Sequence, residues 1–400
     1  MEETRPKLWT KDFIIISAAN FFLYLIFYLL LVTIAVYAVD HYHASEAQAG
    51  LATGIFIIGT LIGRLVIGRI IESVGNKKTM FFGLIFFILT SLLYFIDLGV
   101  SFLLFTRLVH GLALGVASTA TGTIVAQIIP AARKGEGIGY YSMSTTLATA
   151  IGPFIGIYMS QHTSYTAIFS FCLALGIISF IIALFMKVPE VKAAAKKAAV
   201  KGGFKLSNYI EPKALPIALV TMIASIGYAS VLSFINFYAI EIHLVDVASF
   251  FFIVYAVAIL VSRPITGRLM DVKGANSVMY PTFLLFAAGL FLLSIAGSGT
   301  IFLLAAVLIG FGFGNIQSCS QAIAVKVTPL ERMGLATSTY FIALDAGLGF
   351  GPYVIGYIIP LTGYRNLYLI MAIVALASTV LYYFMHGKRK ETAAVGADAI

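Results

Sequence analysis

The chain of 400 residues is 60% apolar and only 11% charged, with a mean hydropathy of +0.99. A soluble domain is roughly half apolar and a quarter charged, so this composition excludes one and points to a chain whose solvent is lipid. The formal net charge of +9 would suit a nucleic-acid partner, but its distribution along the chain does not. A spanning helix needs about 20 mainly apolar residues, and such runs follow one another from end to end. They predict helices over 13–39, 46–71, 79–97, 101–128, 136–159 and 165–186, then over 214–240, 247–270, 277–297, 300–325, 335–359 and 364–386. The short alternating segments of a membrane β-barrel are absent, so the expected fold class is all-α integral membrane with twelve transmembrane helices. The first run is too long for the core of a secretory signal and has no small-residue cleavage site, which makes it a retained helix.

One longer polar segment, 187–213, separates the first six runs from the last six. It alternates Lys with Ala and contains Pro189, Gly202, Gly203 and Pro212, a composition suited to a linker. The chain thus divides into a first half over 1–186, the linker, a second half over 214–390 and a flexible tail over 391–400. Basic residues fall on alternate loops: Arg5, Lys7 and Lys11, then Arg69, Lys77 and Lys78, Arg133 and Lys134, the linker, Arg268 and Lys273, Lys326 and Arg332, and Lys388, Arg389 and Lys390. The opposite loops carry Asp40, Glu46, Asp97, Glu241 and Asp246, with Arg365 as their base. This asymmetry predicts a multi-pass plasma-membrane protein with both termini in the cytoplasm, and it accounts for the charge without nucleic acid.

Catalytic and metal signatures are missing from the sequence. Cys172 and Cys319 lie alone in separate runs and read as packing residues, and His41, His43 and Glu46 read as solvated loop residues, not a metal site. The run Gly310-Phe-Gly312-Phe-Gly314 lies inside an apolar helix with no strand before it, so it is a packing surface and not a dinucleotide fingerprint. No enzyme activity, metal or cofactor is expected, and any work the chain performs draws on an ion gradient.

Sliding the second half over the first at an offset of 199 residues aligns Arg64 with Arg263, Gly68 with Gly267, Arg69 with Arg268, Glu72 with Asp271 and Gly75 with Gly274. The same shift aligns Gly111 with Gly310, Gly115 with Gly314, Pro130 with Pro329, Gly152 with Gly351, Pro153 with Pro352 and Tyr165 with Tyr364. One shift serving motifs in several helices means that the halves are duplicated units in parallel orientation.

Three motifs carry further information. The stretch after the second run reads Gly68-Arg69-Ile-Ile-Glu72-Ser-Val-Gly75-Asn76-Lys77-Lys78, and the second half repeats its front as Gly267-Arg268-Leu-Met-Asp271-Val-Lys-Gly274. Its glycines allow a tight turn and close helix approach, and its acid can face a helix N-terminus, where the macrodipole favours negative charge. The fourth run holds Arg107, costly in lipid unless it meets a partner or water, with His110 one turn along the same face. The fifth run contains Gly152-Pro153-Phe-Ile-Gly156, echoed in the eleventh by Gly351-Pro352; its small residues favour close packing and its proline frees a carbonyl.

Together these motifs, spread over both halves, resemble those of the major facilitator superfamily, and the fifth-run motif resembles that of its drug/proton antiporter branch. The resemblance implies two pseudo-symmetric six-helix halves that alternate access to a central cavity. It implies a conformational latch at Gly68, Arg69, Glu72, Gly75, Lys77, Arg268 and Asp271, placed in membrane-face loops, and an antiporter motif at Gly152, Pro153, Gly156, Gly351 and Pro352. Ala148 stands where that motif usually has glycine. The second latch lacks the trailing lysine pair and is expected to be the weaker.

In the family the cavity is lined by the first, fourth, seventh and tenth helices. That carries over to Asn20, Tyr24 and Tyr28 at four-residue spacing, to Tyr228 and Asn236, and to Asn315 and Gln317. Aromatic faces with few polar anchors suit an amphipathic small molecule. The proton-coupling candidates are Asp345, about ten residues or ~15 Å into the eleventh helix, then Glu136, Arg107 and His110, with Arg107 expected near Glu136 in the fold. Burial favours a neutral carboxylic acid and a nearby arginine favours the charged one, so a carboxyl whose surroundings change can load and release a proton. The expected function is a proton-coupled exporter of drugs or amphipathic metabolites, acting as a monomer in the lipid bilayer. The alternatives are a proton symporter importing a small polar solute and, third, a non-transporting scaffold or sensor.

Overall fold

A backbone N–H or C=O facing lipid has no water to bond, and a helix satisfies each of them within its own segment. In the computed structural model, which describes residues 6–187 and 209–388, the apolar runs fold accordingly. The first half comprises α1 (Lys11–Tyr42), α2 (Glu46–Val74), α3 (Asn76–Leu92), α4 (Val100–Ile128), α5 (Lys134–His162) and α6 (Tyr165–Leu184). The second comprises α7 (Leu215–Glu241), α8 (Val245–Lys273), α9 (Asn276–Ser294), α10 (Gly299–Lys326) and α11 (Met333–Tyr382). Within α11, Gly363 at φ 72° and ψ 171° reverses the chain, so this element is two spans, 333–362 and 364–382. Twelve spans therefore stand among the described residues, each close to the run that predicts it. Most of the expected linker and the whole tail lie outside the described residues.

Local signals set the ends. Thr10 caps α1 by accepting from the Phe13 N–H, Ser45 and Gln48 form a capping box at α2, and Ser164 and Ser298 cap α6 and α10, each satisfying an orphan N–H. Gly75 and Gly274, a pair in the repeat, turn α2 into α3 and α8 into α9 at φ 95° and 85°, where a Cβ would be strained. Because the helix runs on until that glycine, Gly68, Arg69 and Glu72 lie in the last two turns of α2 and not in a loop, and Arg268 and Asp271 lie likewise in α8.

Ten described helical stretches are apolar and long enough to cross a bilayer. The α5 helix is not one of them, because its first half, with Ser142, Ser144, Thr145, Thr146 and Thr149, faces polar surroundings between the halves. Large apolar side chains such as Phe82, Phe105, Phe250 and Ile265 are exposed on the bundle surface, where lipid is as apolar as they are. Within the first half α1 packs on α5 and α6 and α4 on α2 and α3; within the second α11 packs on α7 and α9 and α10 on α8 and α9. The halves meet through α2 with α11 and α5 with α8, two contacts that the 199-residue offset interchanges. Cys172 and Cys319 are buried free thiols. The start of α1 and the end of α11 share one end of the bundle, here the terminal face; the α1–α2 turn and Gly363 mark the far face.

Candidate functional site

Between the halves lies a cleft of two lobes that share lining residues, about 970 and 580 Å³ with the space open to solvent included. The larger is lined by Asn20, Tyr24 and Tyr28 of α1, Thr60 and Arg64 of α2, Tyr141, Ser142 and Thr145 of α5, Gln317 and Gln321 of α10, and Phe341 and Asp345 of α11. The smaller shares Tyr28, Thr145 and Gln317 and extends to Thr146, Thr149, Tyr228, Phe252, Tyr255 and Phe313. Its floor is a stack in which Tyr228 lies 4.3 Å from the Phe313 ring and 5.3 Å from Tyr255.

In the wall of the larger lobe Arg64 Nε meets Asp345 Oδ2 at 2.9 Å, with the arginine side chain 2% exposed and the aspartate 19%. The pair joins α2 of one half to α11 of the other. Arg64 also donates to the Tyr24 hydroxyl at 3.4 Å and lies 4.3 Å from the centre of the Phe341 ring. A lone charge at this depth costs several kcal/mol, and each partner here offsets the other's cost. Asn20 is committed to holding α1 against α5: it donates to Ser144 at 2.9 Å and Thr145 at 3.0 Å and accepts from the Tyr141 hydroxyl at 2.8 Å.

The terminal face is closed by two equivalent contacts. Glu72 Oε1 accepts from the Gly334 and Leu335 N–H groups at 2.9 and 3.3 Å, at the N-terminus of α11. Asp271 accepts from Gly135 and Glu136 at 2.8 Å each, at the N-terminus of α5, and pairs with Lys326 at 2.8 Å. Orphan N–H groups and the macrodipole together make such termini anion sites. The second copy, which lacks the trailing lysine pair, takes its base from α10 instead. The glycines permit the approach: a Cβ on Gly68 would lie 2.4 Å from Ser338 Oγ, and one on Gly267 2.8 Å from Glu136 Cα. Arg69 hydrogen-bonds the Tyr209 hydroxyl, while Lys77 and Arg268 are exposed.

A family model described as Major Facilitator Superfamily matches residues 16–251 and 217–399. The chain belongs to the major facilitator superfamily. An uncharacterized MFS-type transporter of Methanocaldococcus jannaschii is 23% identical over 350 residues, covering 85% of this chain and 89% of the relative. One from Burkholderia mallei is 26% identical over 401 residues, covering 98% and 96%. Among solved structures the fold is similar to the human organic anion transporter MFSD10 (TM-score 0.77, 13% identity, 94% of this chain and 100% of that one). It is also similar to the proton:xylose symporter XylE (TM-score 0.73, 14% identity, 94% and 95%).

Several candidates of this transporter lie away from the cleft. Arg107 is buried inside the first half, where it donates to the Ala52 carbonyl at 2.9 Å and the Tyr94 hydroxyl at 3.2 Å. His110 contacts Tyr94 at 3.0 Å and Ser91 at 3.3 Å, so both belong to a polar knot between α2, α3 and α4. Glu136 pairs with Arg133 at 2.7 Å on the terminal face. Arg107 stands near the far-face start of α4, so the expected proximity of Arg107 and Glu136 is not present: they sit toward opposite faces. Asn315, also expected in the cavity, donates to Ser262 at 2.8 Å and accepts from Thr266 at 2.7 Å, tying α10 to α8. Gln317, about 200° further round the helix, faces the cleft instead. The side chain of Asn236 lies outside those described.

The antiporter-motif residues are helix contacts. A Cβ on Gly152 would lie 2.8 Å from Tyr28 Cβ and one on Gly156 2.8 Å from the Leu29 carbonyl, so α5 fits tightly against α1 around Pro153. Gly351 packs in the same way on Ala229 of α7, beside Pro352. The polar wall of α5 was not among the expected cavity residues. Its signal was the low hydropathy of Ser142 to Thr149 within a span that is otherwise apolar.

Proposed function

We propose that this transporter is a proton-coupled exporter of small amphipathic molecules, a monomer of the plasma membrane with cytoplasmic termini, working by alternating access. The observation that carries the reading is the Arg64–Asp345 pair, a titratable link between the two halves in the wall of the cleft. With both terminal-face latches made, the cleft is closed toward that face. A proton arriving from the far side neutralises Asp345, removes its attraction for Arg64 and frees α11 to move against α2. In the opposite conformation the proton leaves to the cytoplasm, and the re-formed carboxylate recaptures Arg64. Among the described residues, Tyr28 and Tyr340 also lie within electrostatic reach of Asp345, and Tyr24 within reach of Arg64. Asp345 is therefore the acid assigned to the proton, ahead of Glu136, Arg107 and His110.

The lining supports an amphipathic cargo over a sugar: aromatic rings form much of the wall, and the Asn20 amide is already consumed by α5. The fold does not separate the two, since an organic anion transporter and a proton:xylose symporter both use it. The test is uptake into everted vesicles under an imposed pH gradient with a panel of amphipathic dyes. Wild type should accumulate substrate, while Asp345→Asn should exchange it down its own gradient and lose pH-driven accumulation. Full pH-driven accumulation by Asp345→Asn refutes the assignment.

A further inference from the structure

The 199-residue offset that pairs Arg64 with Arg263 also pairs Asp345 with Thr146. The structure keeps this symmetry. As Arg64 of α2 reaches Asp345 of α11 at 2.9 Å, Arg263 of α8 reaches Thr146 Oγ1 of α5 at 2.9 Å. The two guanidiniums differ in one respect. Arg64 has a carboxylate, whereas Arg263, 1% exposed, has two neutral acceptors, Thr146 and the Gly314 carbonyl at 3.2 Å. No described carboxylate pairs with it. A buried cation retained in a membrane without its counter-charge is expensive, and such residues mark ligand paths.

The lobe beside it has the complementary chemistry. Thr146 and Tyr255 line the smaller lobe, Thr145 and Thr149 add hydroxyls, and Tyr228 and Phe313 supply an apolar wall. Arg263 itself does not line the lobe; it lies directly behind Thr146, which does. We infer that the anionic group of an amphipathic organic monoanion, a carboxylate or sulfonate on an aromatic or aliphatic body, binds at Thr146 in front of Arg263, where the duplicated fold places Asp345 in the other half. The ligand supplies the counter-charge that the described residues lack, and its apolar body lies on the Tyr228–Phe313 stack. The inference rests on the cleft being the transport path and adds the charge of the cargo.

The decisive variant is Thr146→Asp, which supplies the missing carboxylate from within and should fold, because it copies the pairing already made by Asp345. Purified full-length protein is titrated calorimetrically with salicylate and 2-naphthalenesulfonate as anionic probes, and its melting temperature is recorded. Wild type should bind at least one probe, and Thr146→Asp should bind it about 30-fold more weakly, or about 2 kcal/mol, with its melting temperature unchanged or raised. Arg263→Gln should lose affinity to a similar extent where it folds. Binding by Thr146→Asp within about threefold of wild type, or no binding of either anion by wild type, overturns the inference. These readouts involve no proton gradient, so a failure of coupling through Asp345 and a failure of anion binding at Arg263 are separate results.

Discussion

Replacing Asp271 by asparagine should open the terminal face far more than replacing Glu72 by glutamine. Each oxygen of Asp271 takes its own N–H at 2.8 Å, from Gly135 and Glu136, and Oδ1 also meets Lys326 at 2.8 Å. Asparagine keeps a single acceptor oxygen and turns an N–H₂ group toward a donor, so one charge-assisted bond is lost, the other is weakened and the ion pair goes. Bonds to charged groups are worth about 1.5–3 kcal/mol and neutral ones about 0.5–1.5, and the half-exposed ion pair adds about 0.5. The loss comes to about 3 kcal/mol, roughly 100-fold in the closed-to-open ratio. Both bonds of Glu72 fall on one oxygen, at 2.9 and 3.3 Å, which glutamine retains. That variant loses only charge assistance, about 1 kcal/mol or about fivefold. Spin labels on cysteines at the exposed positions Lys78 and Glu331, in a background without Cys172 and Cys319, report the population by double electron–electron resonance. A Glu72→Gln shift equal to or larger than that of Asp271→Asn, or no shift in either, refutes the reasoning.

Gly267→Ala places a methyl 2.8 Å from the Glu136 Cα and the Gly135 carbonyl; backbone cannot step aside as a side chain does, so the closed face should lose about 1–3 kcal/mol, read with the same labels. On the far face the hydrogen bond from His41 holds the exposed Asp97 carboxyl below its usual range. A depressed folded value means that this contribution is complete above the unfolded value near ~4 and lost as the pH falls through the folded one. The melting-temperature gap between wild type and Asp97→Asn should therefore shrink on acidification below pH ~4, and a gap that widens contradicts it. For topology, a cysteine at Asp97 should react with an impermeant maleimide on intact cells and one at Lys78 only after permeabilisation; the reverse pattern inverts the proposed orientation.

The sequence alone determined the spans, their number and the duplication, because the bilayer imposes a fixed apolar length and because a repeated Gly, acid and Gly spacing survives as a linear pattern. It also singled out Glu72 and Asp271 as acids able to serve helix N-termini, although which N-termini they serve was decided in three dimensions: Glu72 and Gly334 are 262 residues apart. The side chains facing the cleft were much less legible. Asn315 and Gln317, two positions apart, went opposite ways, and α5 contributed more polar wall than α4. The pairing of Arg64 with Asp345, and of Arg263 with the neutral Thr146, exist only once α2 meets α11 and α8 meets α5. The reason lies in the solvent. In water a helix advertises its inward face by apolar residues, whereas in lipid the outward face is apolar as well, so the rotation of each span about its own axis leaves little trace in the sequence and is fixed by packing against its neighbours.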